Sequence, residues 1–223
     1  MKNFKEAWEK LYDENKYTMK FPDEPTIRFF GKISKKIELN GKGLDVGSGM
    51  GRNCRLMYEF GIDAYGIEIS EMAIKRAKEY MKLGNFKAQF ILYDGIRIPF
   101  EDRYFDYVIS HGVLDSMTFE NAQTIINEIY RVLKSDGYSC IVVHSDKDSS
   151  YGEGKKIEEN TFIIKEGFEK DTPQHYFTLD EIKELFGEFE IIDVGLHEDI
   201  QVDLNTGNPK KKASFWYIYL RKR

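Results

Sequence analysis

The residues best suited to chemistry begin with Asp45-Val46-Gly47-Ser48-Gly49-Met50-Gly51-Arg52. Three glycines at alternate positions let a backbone turn sharply and approach a ligand closely. Glu68 follows 21 positions after Gly47, and Asp94-Gly95 comes later still. A dinucleotide loop requires G-x-G-x-x-G. Here Arg52 stands in the third-glycine place and the glycine comes early, at Gly51. That spacing argues against a nicotinamide-dependent reductase. The histidines offer candidate proton acceptors: His111, with Asp115 close behind it, His144, and His175 beside Tyr176.

The elements that must position these residues alternate. Strands are expected at residues 43–46, 64–69, 89–93, 105–110 and 138–144. Helices are expected at 52–60, 70–83 with Ser70 as N-cap, and 120–134, the last stopping at Asp136-Gly137. Such alternation predicts parallel βαβ units in a doubly wound, Rossmann-like α/β sheet with helices on both faces. Asp45, Glu68 and Asp94 then end three successive strands, on the edge where open α/β sheets bind ligands. At the N-terminus, residues 4–17 read as a charged helix with Trp8, Leu11 and Tyr12 on one side. A second helix after Pro25 carries Phe30, Ile33 and Ile37. The C-terminal part reads as a helix at 180–186 and strands at 189–194 and 215–220 that could pair antiparallel, with Lys210-Lys211-Lys212 in a turn between them. The polar stretch 145–178, with Gly152, Gly154 and Gly167, is long for a connection inside a compact domain and suggests a lid or binding insert.

The segment Asp45 to Gly51 resembles motif I of class I S-adenosylmethionine-dependent methyltransferases. Ile98-Pro99-Phe100 to Val108 is similar to that family's approach to its fourth strand, and Arg131-Val132-Leu133-Lys134-Ser135-Asp136-Gly137 resembles its turn into the fifth. Ser135-Asp136 departs from the family's Pro-Gly, which touches turn chemistry only. The likeness covers about residues 42–144. It implies a seven-stranded, mostly parallel sheet with an antiparallel C-terminal strand. S-adenosyl-L-methionine would then be the cofactor and S-adenosyl-L-homocysteine the product. By the same resemblance, Glu68 accepts from the ribose hydroxyls, Asp94 accepts from the adenine amine, and Asp45 lies near the methionyl ammonium. Gly47, Ser48, Gly49, Gly51, Asn53, Ile69, Gly95 and Ser110 complete the expected cofactor contacts, and Tyr17 and Phe21 are the expected cover from the N-terminal segment.

Displacement at a sulfonium methyl starts from an activated leaving group, so positioning and water exclusion can supply much of the rate. A neutral hydroxyl acceptor wants a base; a thiolate or carboxylate does not. His111 and His144 are therefore the catalytic candidates. His111, Asp115, Tyr151, His175 and Tyr176 are the substrate-side candidates, with Arg97, Lys155 and Lys156 held more loosely. His197 reads as peripheral.

The whole is expected to be one methyltransferase domain: a helical cap (1–40), a cofactor core (41–144), the insert (145–178) and a C-terminal helix and strand pair (179–223). The chain has 223 residues, 41% hydrophobic, enough to bury a real core. Its net charge of −5 argues against a nucleic-acid partner. Cys54 and Cys140 follow no metal spacing and suggest a reducing, cytoplasmic setting without a bound metal. No apolar run suits a signal or a membrane span. The expectation is methyl transfer to a small molecule by a monomer or homodimer. The alternatives are a methyltransferase for RNA or protein and a non-catalytic cofactor-binding subunit. Ser110-His111-Gly112-Val113 stands where an amino-methylating nucleic-acid enzyme would carry Asn-Pro-Pro-Tyr.

Overall fold

The computed structural model describes residues 2–14, 19–166 and 170–223. Tyr17 and Gly167 lie outside them. In chain order the elements are α1 (Lys2–Asp13), α2 (Glu24–Ile33), β1 (Lys42–Val46), α3 (Arg52–Glu59), β2 (Asp63–Glu68), α4 (Glu71–Leu83), β3 (Gln89–Leu92), β4 (Phe105–His111), a 3-10 turn (Leu114–Ser116), α5 (Phe119–Val132) and β5 (Leu133–His144). The insert holds β6 (Lys155–Glu158), β7 (Thr161–Ile163) and β8 (Pro173–His175), followed by α6 (Leu179–Leu185), β9 (Phe189–Val202) and β10 (Pro209–Lys222).

Seven strands form one sheet in the order β3-β2-β1-β4-β5-β10-β9. The pairs from β3 to β5 are parallel, and β10 is antiparallel to both β5 and β9. The order reverses between β1 and β4, which opens a crevice at their carboxyl ends. The pleat sends alternate residues to opposite faces. Leu44, Val46 and Val108 join α5 and α6 in one core, whereas Tyr107, Ile109 and Cys140 join α2, α3 and α4 in the other. Helix starts follow local chemistry. The Ser70 hydroxyl accepts from Ala73 N, Thr118 accepts from Asn121 N, and Thr178 with Glu181 forms a capping box.

The C-terminal half departs from the sequence expectations in several places. Helix α5 ends at Val132, not at Asp136-Gly137, because Leu133 already pairs with Phe105. Residues 134–137 then bulge within β5, with Asp136 at φ 63°, before Tyr138 pairs with Tyr107. Strands β9 and β10 are 14 residues each, far longer than the pattern suggested. Lys210, Lys211 and Lys212 therefore lie within β10, where Lys212 meets Glu198 at 3.0 Å. His197 likewise lies inside β9. Within the stretch read as a polar insert, β6, β7 and β8 make a small antiparallel sheet.

Arg131 fixes the approach to β4. Its guanidinium donates to the carbonyls of Ile98 and Phe100 and to Asp102 and Glu128, all within 2.7–2.9 Å. Glu128 in turn accepts from Ile98 N. Replacing Arg131 with Ala strands two carbonyls and a carboxylate, and should cost about 2–3 kcal/mol. Urea unfolding measures this; a loss below about 0.5 kcal/mol would show that the network contributes little.

Candidate functional site

The site begins where β1 stops. Gly47 N and Ser48 N both donate to Ile67 O, at 2.9 and 3.0 Å, so the chain folds back over the end of β2. Gly47 has φ 67° and Gly51 φ 82°. A Cβ on Gly47 would lie 2.3 Å from Val113, and one on Gly51 would lie 2.8 Å from Met81 and Phe90. Both positions need a left-handed backbone and the absence of a side chain.

Asp45 is 1% exposed and accepts from the Asn53 amide at 3.1 Å. Its other oxygen has no partner among the described residues, and the same holds for Ser48 Oγ, Asn53 Oδ1 and Ser110 Oγ. Buried polar atoms are normally satisfied, so four orphans around one turn mark a place prepared for a polar ligand or water. Burial pushes the Asp45 carboxyl up to about 7, against the pull of Asn53 and Arg52.

Glu68 ends β2 and is 5% exposed. One carboxylate oxygen accepts from Ile69 N and Ser70 N, at 2.8 and 3.1 Å; the other accepts from Gly49 N at 2.9 Å. Burial raises its pKa, and these three N–H groups oppose the rise. Three of about four lone-pair positions are thus occupied, leaving one for a hydroxyl. Asp94 follows β3 and is exposed. One oxygen accepts from Ile96 N and Arg97 N, which lowers its pKa, and the other faces outward free of protein donors among the described residues.

Gly47, Glu68 and Asp94 meet in a single cleft with a cavity volume of about 100 Å³, which Asp45, Ser48, Asn53 and Ser110 do not line. Gly47, Glu68, Ile69, Asp94 and Gly95 line one wall; His111, Gly112, Val113, Ser116 and Met117 line another. Helix α1 forms the roof with Lys5, Trp8 and Tyr12. It is held by Tyr12 against Met50 and Ala73 and by Glu9, which accepts from Met72 N at 3.1 Å. The i, i+4 spacing of Trp8 and Tyr12 signals their shared face, yet nothing local says what that face covers. Phe21, expected as cover, is 68% exposed beneath the Arg55 guanidinium.

The two candidate histidines differ. His111 lines the cleft; its Nε2 lies 3.1 Å from Asp23 Oδ2. Arg52 Nη1 donates to the same oxygen at 2.8 Å. Burial, then Arg52 and His144, hold the His111 pKa well below the usual value. Asp23 has no sequence signal beyond the helix start it marks. His144 lies behind the cleft wall, where Asp115 Oδ2 takes both its backbone N–H, at 2.9 Å, and its Nδ1, at 2.7 Å. The 1% exposed Asp115 carboxylate thereby anchors the loop after β4.

Other expected substrate contacts lie within the insert. His175 is fully buried, with Nδ1 2.6 Å from Thr161 Oγ1 and Nε2 3.6 Å from Glu181. The Tyr176 hydroxyl meets Ser150 at 2.9 Å, and Tyr151 donates to Asn160 at 2.8 Å. None of the three lines the cleft. Lys155 and Lys156 are exposed on β6, the latter paired with Glu159. Among the described residues no His, Cys, Asp and Glu cluster could hold a metal, and no helix is long and apolar enough to cross a membrane.

Comparison with known proteins agrees with this geometry. Residues 44–141 match a family profile described as a methyltransferase domain. The phosphoethanolamine N-methyltransferase of Plasmodium falciparum is 30% identical over 145 residues, covering 61% of this chain and 54% of that protein. The sterol 24-C-methyltransferase of Schizosaccharomyces pombe is 32% identical over 130 residues, covering 56% and 34%. The chain thus spans between a third and about half the length of these relatives. In structure, a SAM-dependent methyltransferase from Methanosarcina mazei superposes with a TM-score of 0.72 at 24% identity, over 86% of this chain and 96% of that one.

Asp45 supplies a test that needs no ligand. In the folded chain it titrates near 7, and unfolded near about 3.9. Between those values the folded state holds a proton that the unfolded state has released, so stability falls as pH rises. Asp45→Asn keeps the acceptor for Asn53 and removes the titration. Its stability relative to the parent should therefore rise between pH 4 and 7, with a slope approaching about 1.4 kcal/mol per pH unit, and level off above. Urea unfolding across that range measures the difference; a flat profile would contradict the raised pKa.

Proposed function

We propose that this chain, whose residues 44–141 match a methyltransferase-domain profile, belongs to the class I S-adenosylmethionine-dependent superfamily and transfers a methyl group to a small-molecule acceptor bound in the cleft beneath α1. The observation that carries the reading is the convergence of Asp45, Glu68 and Asp94 with the glycine turn at one sheet edge. S-adenosylmethionine supplies an activated methyl on a sulfonium centre when bound. The residues present fit it. The orphaned oxygen of Asp45 suits an ammonium group, the remaining lone pair of Glu68 suits a ribose hydroxyl, and the outward oxygen of Asp94 suits an exocyclic amine. Glycine at 47 leaves room for a ligand that a side chain would deny.

The small-molecule reading rests on cover and charge. Trp8 and Tyr12 close the top with aromatic surface, which excludes water from the reacting centre. A net charge of −5 disfavours a phosphate backbone. Cys54 and Cys140 are buried and unbridged, which fits a reducing cytoplasm.

Calorimetry with S-adenosylhomocysteine tests the site. One equivalent should bind, and Glu68→Ala should weaken it tenfold or more, since hydrogen bonds to a charged group contribute about 1.5–3 kcal/mol each. Tyr151→Phe, remote from the cleft, should leave affinity unchanged. Unaltered affinity in Glu68→Ala would remove the assignment. Incubation with methyl-labelled S-adenosylmethionine and a fractionated cell extract tests the acceptor class: label should enter the small-molecule fraction, and label confined to protein or RNA would overturn that part.

A further inference from the structure

We infer that His111 is the proton acceptor of the transfer, that Asp23 is its positioning residue, and that the acceptor group is a neutral hydroxyl rather than a carboxylate or a thiolate. This rests on the methyl-transfer reading above. Of the two histidines at the strand ends, only His111 lines the cleft, and it does so next to Gly112 and Val113. Its Nε2 lies 3.1 Å from Asp23 Oδ2. A carboxylate oxygen that already accepts from Arg52 takes a further donor, so Nε2 carries the ring proton and Nδ1 keeps its lone pair. That Nδ1 is buried and has no partner among the described residues. An unpaired ring nitrogen shielded from water costs free energy that a hydroxyl donor would recover.

Three elements bring charge to this imidazole. Asp23, at the N-cap of α2, faces Nε2; Arg52, from the first turn of α3, shares the Asp23 oxygen; His144, at the end of β5, lies behind. Burial and Arg52 keep the ring neutral before reaction, which a base requires. The reaction then balances. As the bond from the acceptor oxygen to the methyl carbon forms, the sulfur–methyl bond breaks and its electron pair stays on sulfur. The hydroxyl proton passes to His111 Nδ1. One positive charge disappears from sulfur and one appears on the imidazole, so the cleft's total charge is constant. Asp23 stabilises the new imidazolium through Nε2–H. A carboxylate or thiolate acceptor has no proton to lose and would make this arrangement idle.

Two readouts test the inference on the full chain. The first needs no turnover. Long-range ¹H–¹⁵N spectra of the free protein at pH 7.5 should show His111 with its proton on Nε2, and Asp23→Ala should lower its titration midpoint and reduce the share of that tautomer. The second uses methyl-labelled S-adenosylmethionine and the small-molecule fraction of a cell extract. His111→Ala should slow labelling by about 100-fold or more at pH 7, with S-adenosylhomocysteine affinity within twofold of the parent. Its rate should climb tenfold per pH unit as the hydroxyl ionises unaided, whereas the parent rate levels off. His111→Gln, which keeps a hydrogen-bond acceptor without basicity, should behave like His111→Ala. The inference is overturned if the proton sits on Nδ1, if the rate loss merely follows weakened cofactor affinity, or if His111→Ala labels at the parent rate. Failure of the parent to bind S-adenosylhomocysteine would instead sink the methyl-transfer reading, a result the tautomer spectra keep separate.

Discussion

The Glu68 carboxylate holds the cleft together before any ligand arrives. Its two oxygens accept from Gly49 in the glycine turn and from Ile69 and Ser70 at the start of α4. Three segments that must converge are thereby tied to one side chain. A glycine-rich turn has high conformational entropy when free, and fixing it costs free energy. Charge-assisted bonds to backbone N–H groups offset that cost and satisfy donors that would otherwise be buried unpaired. Glu68 is therefore already part of the scaffold, and three of its roughly four lone-pair positions are taken.

A second convergence crosses the topological switch point. Asp23 enters from the N-terminal side, Arg52 from the helix after β1, and His111 from the end of β4. Because β1 and β4 are neighbours in the sheet but distant in sequence, the crevice between them joins groups the chain keeps apart. Arg52 is the residue that replaces the third glycine of a dinucleotide loop. The substitution does more than mark a different cofactor class: it puts a 6% exposed guanidinium between Asp23 and the turn, where it acts on both Asp45 and His111.

What was legible in the sequence follows from the range of each interaction. The alternation of strands and helices, the Ser70 cap and the glycine turn depend on residues a few positions apart, and all are readable. The acids at strand ends were readable because a strand's end is a local property. Trp8 and Tyr12 declared a common face, but the identity of what they cover is set by α4 and β4, far along the chain. Asp23 and Arg52 are 29 positions apart, with no period to link them. The insert's sheet escaped notice because strands of three and four residues carry too little alternation. Lys210-Lys211-Lys212 read as a turn since a charged run hides the two-residue period of an edge ribbon.

The distribution of charge gives the cleft a direction. Glu68 and Asp94 supply carboxyl groups along it, with Asp45 buried beyond the lining, while Lys5 on the roof is the cationic side chain among the lining residues apart from the neutral His111. Walls of low dielectric strengthen such a field. A ligand carrying ammonium and sulfonium charges is drawn in, and its ammonium favours the ionised form of an Asp45 poised near 7. Tyr12 against Met50 and Ala73, the bond from Met72 N to Glu9 and the bond from Arg76 to the Asp13 carbonyl tie the α1 roof to α4 and the glycine turn, so the cover of the cleft is set by the same segment that follows Glu68.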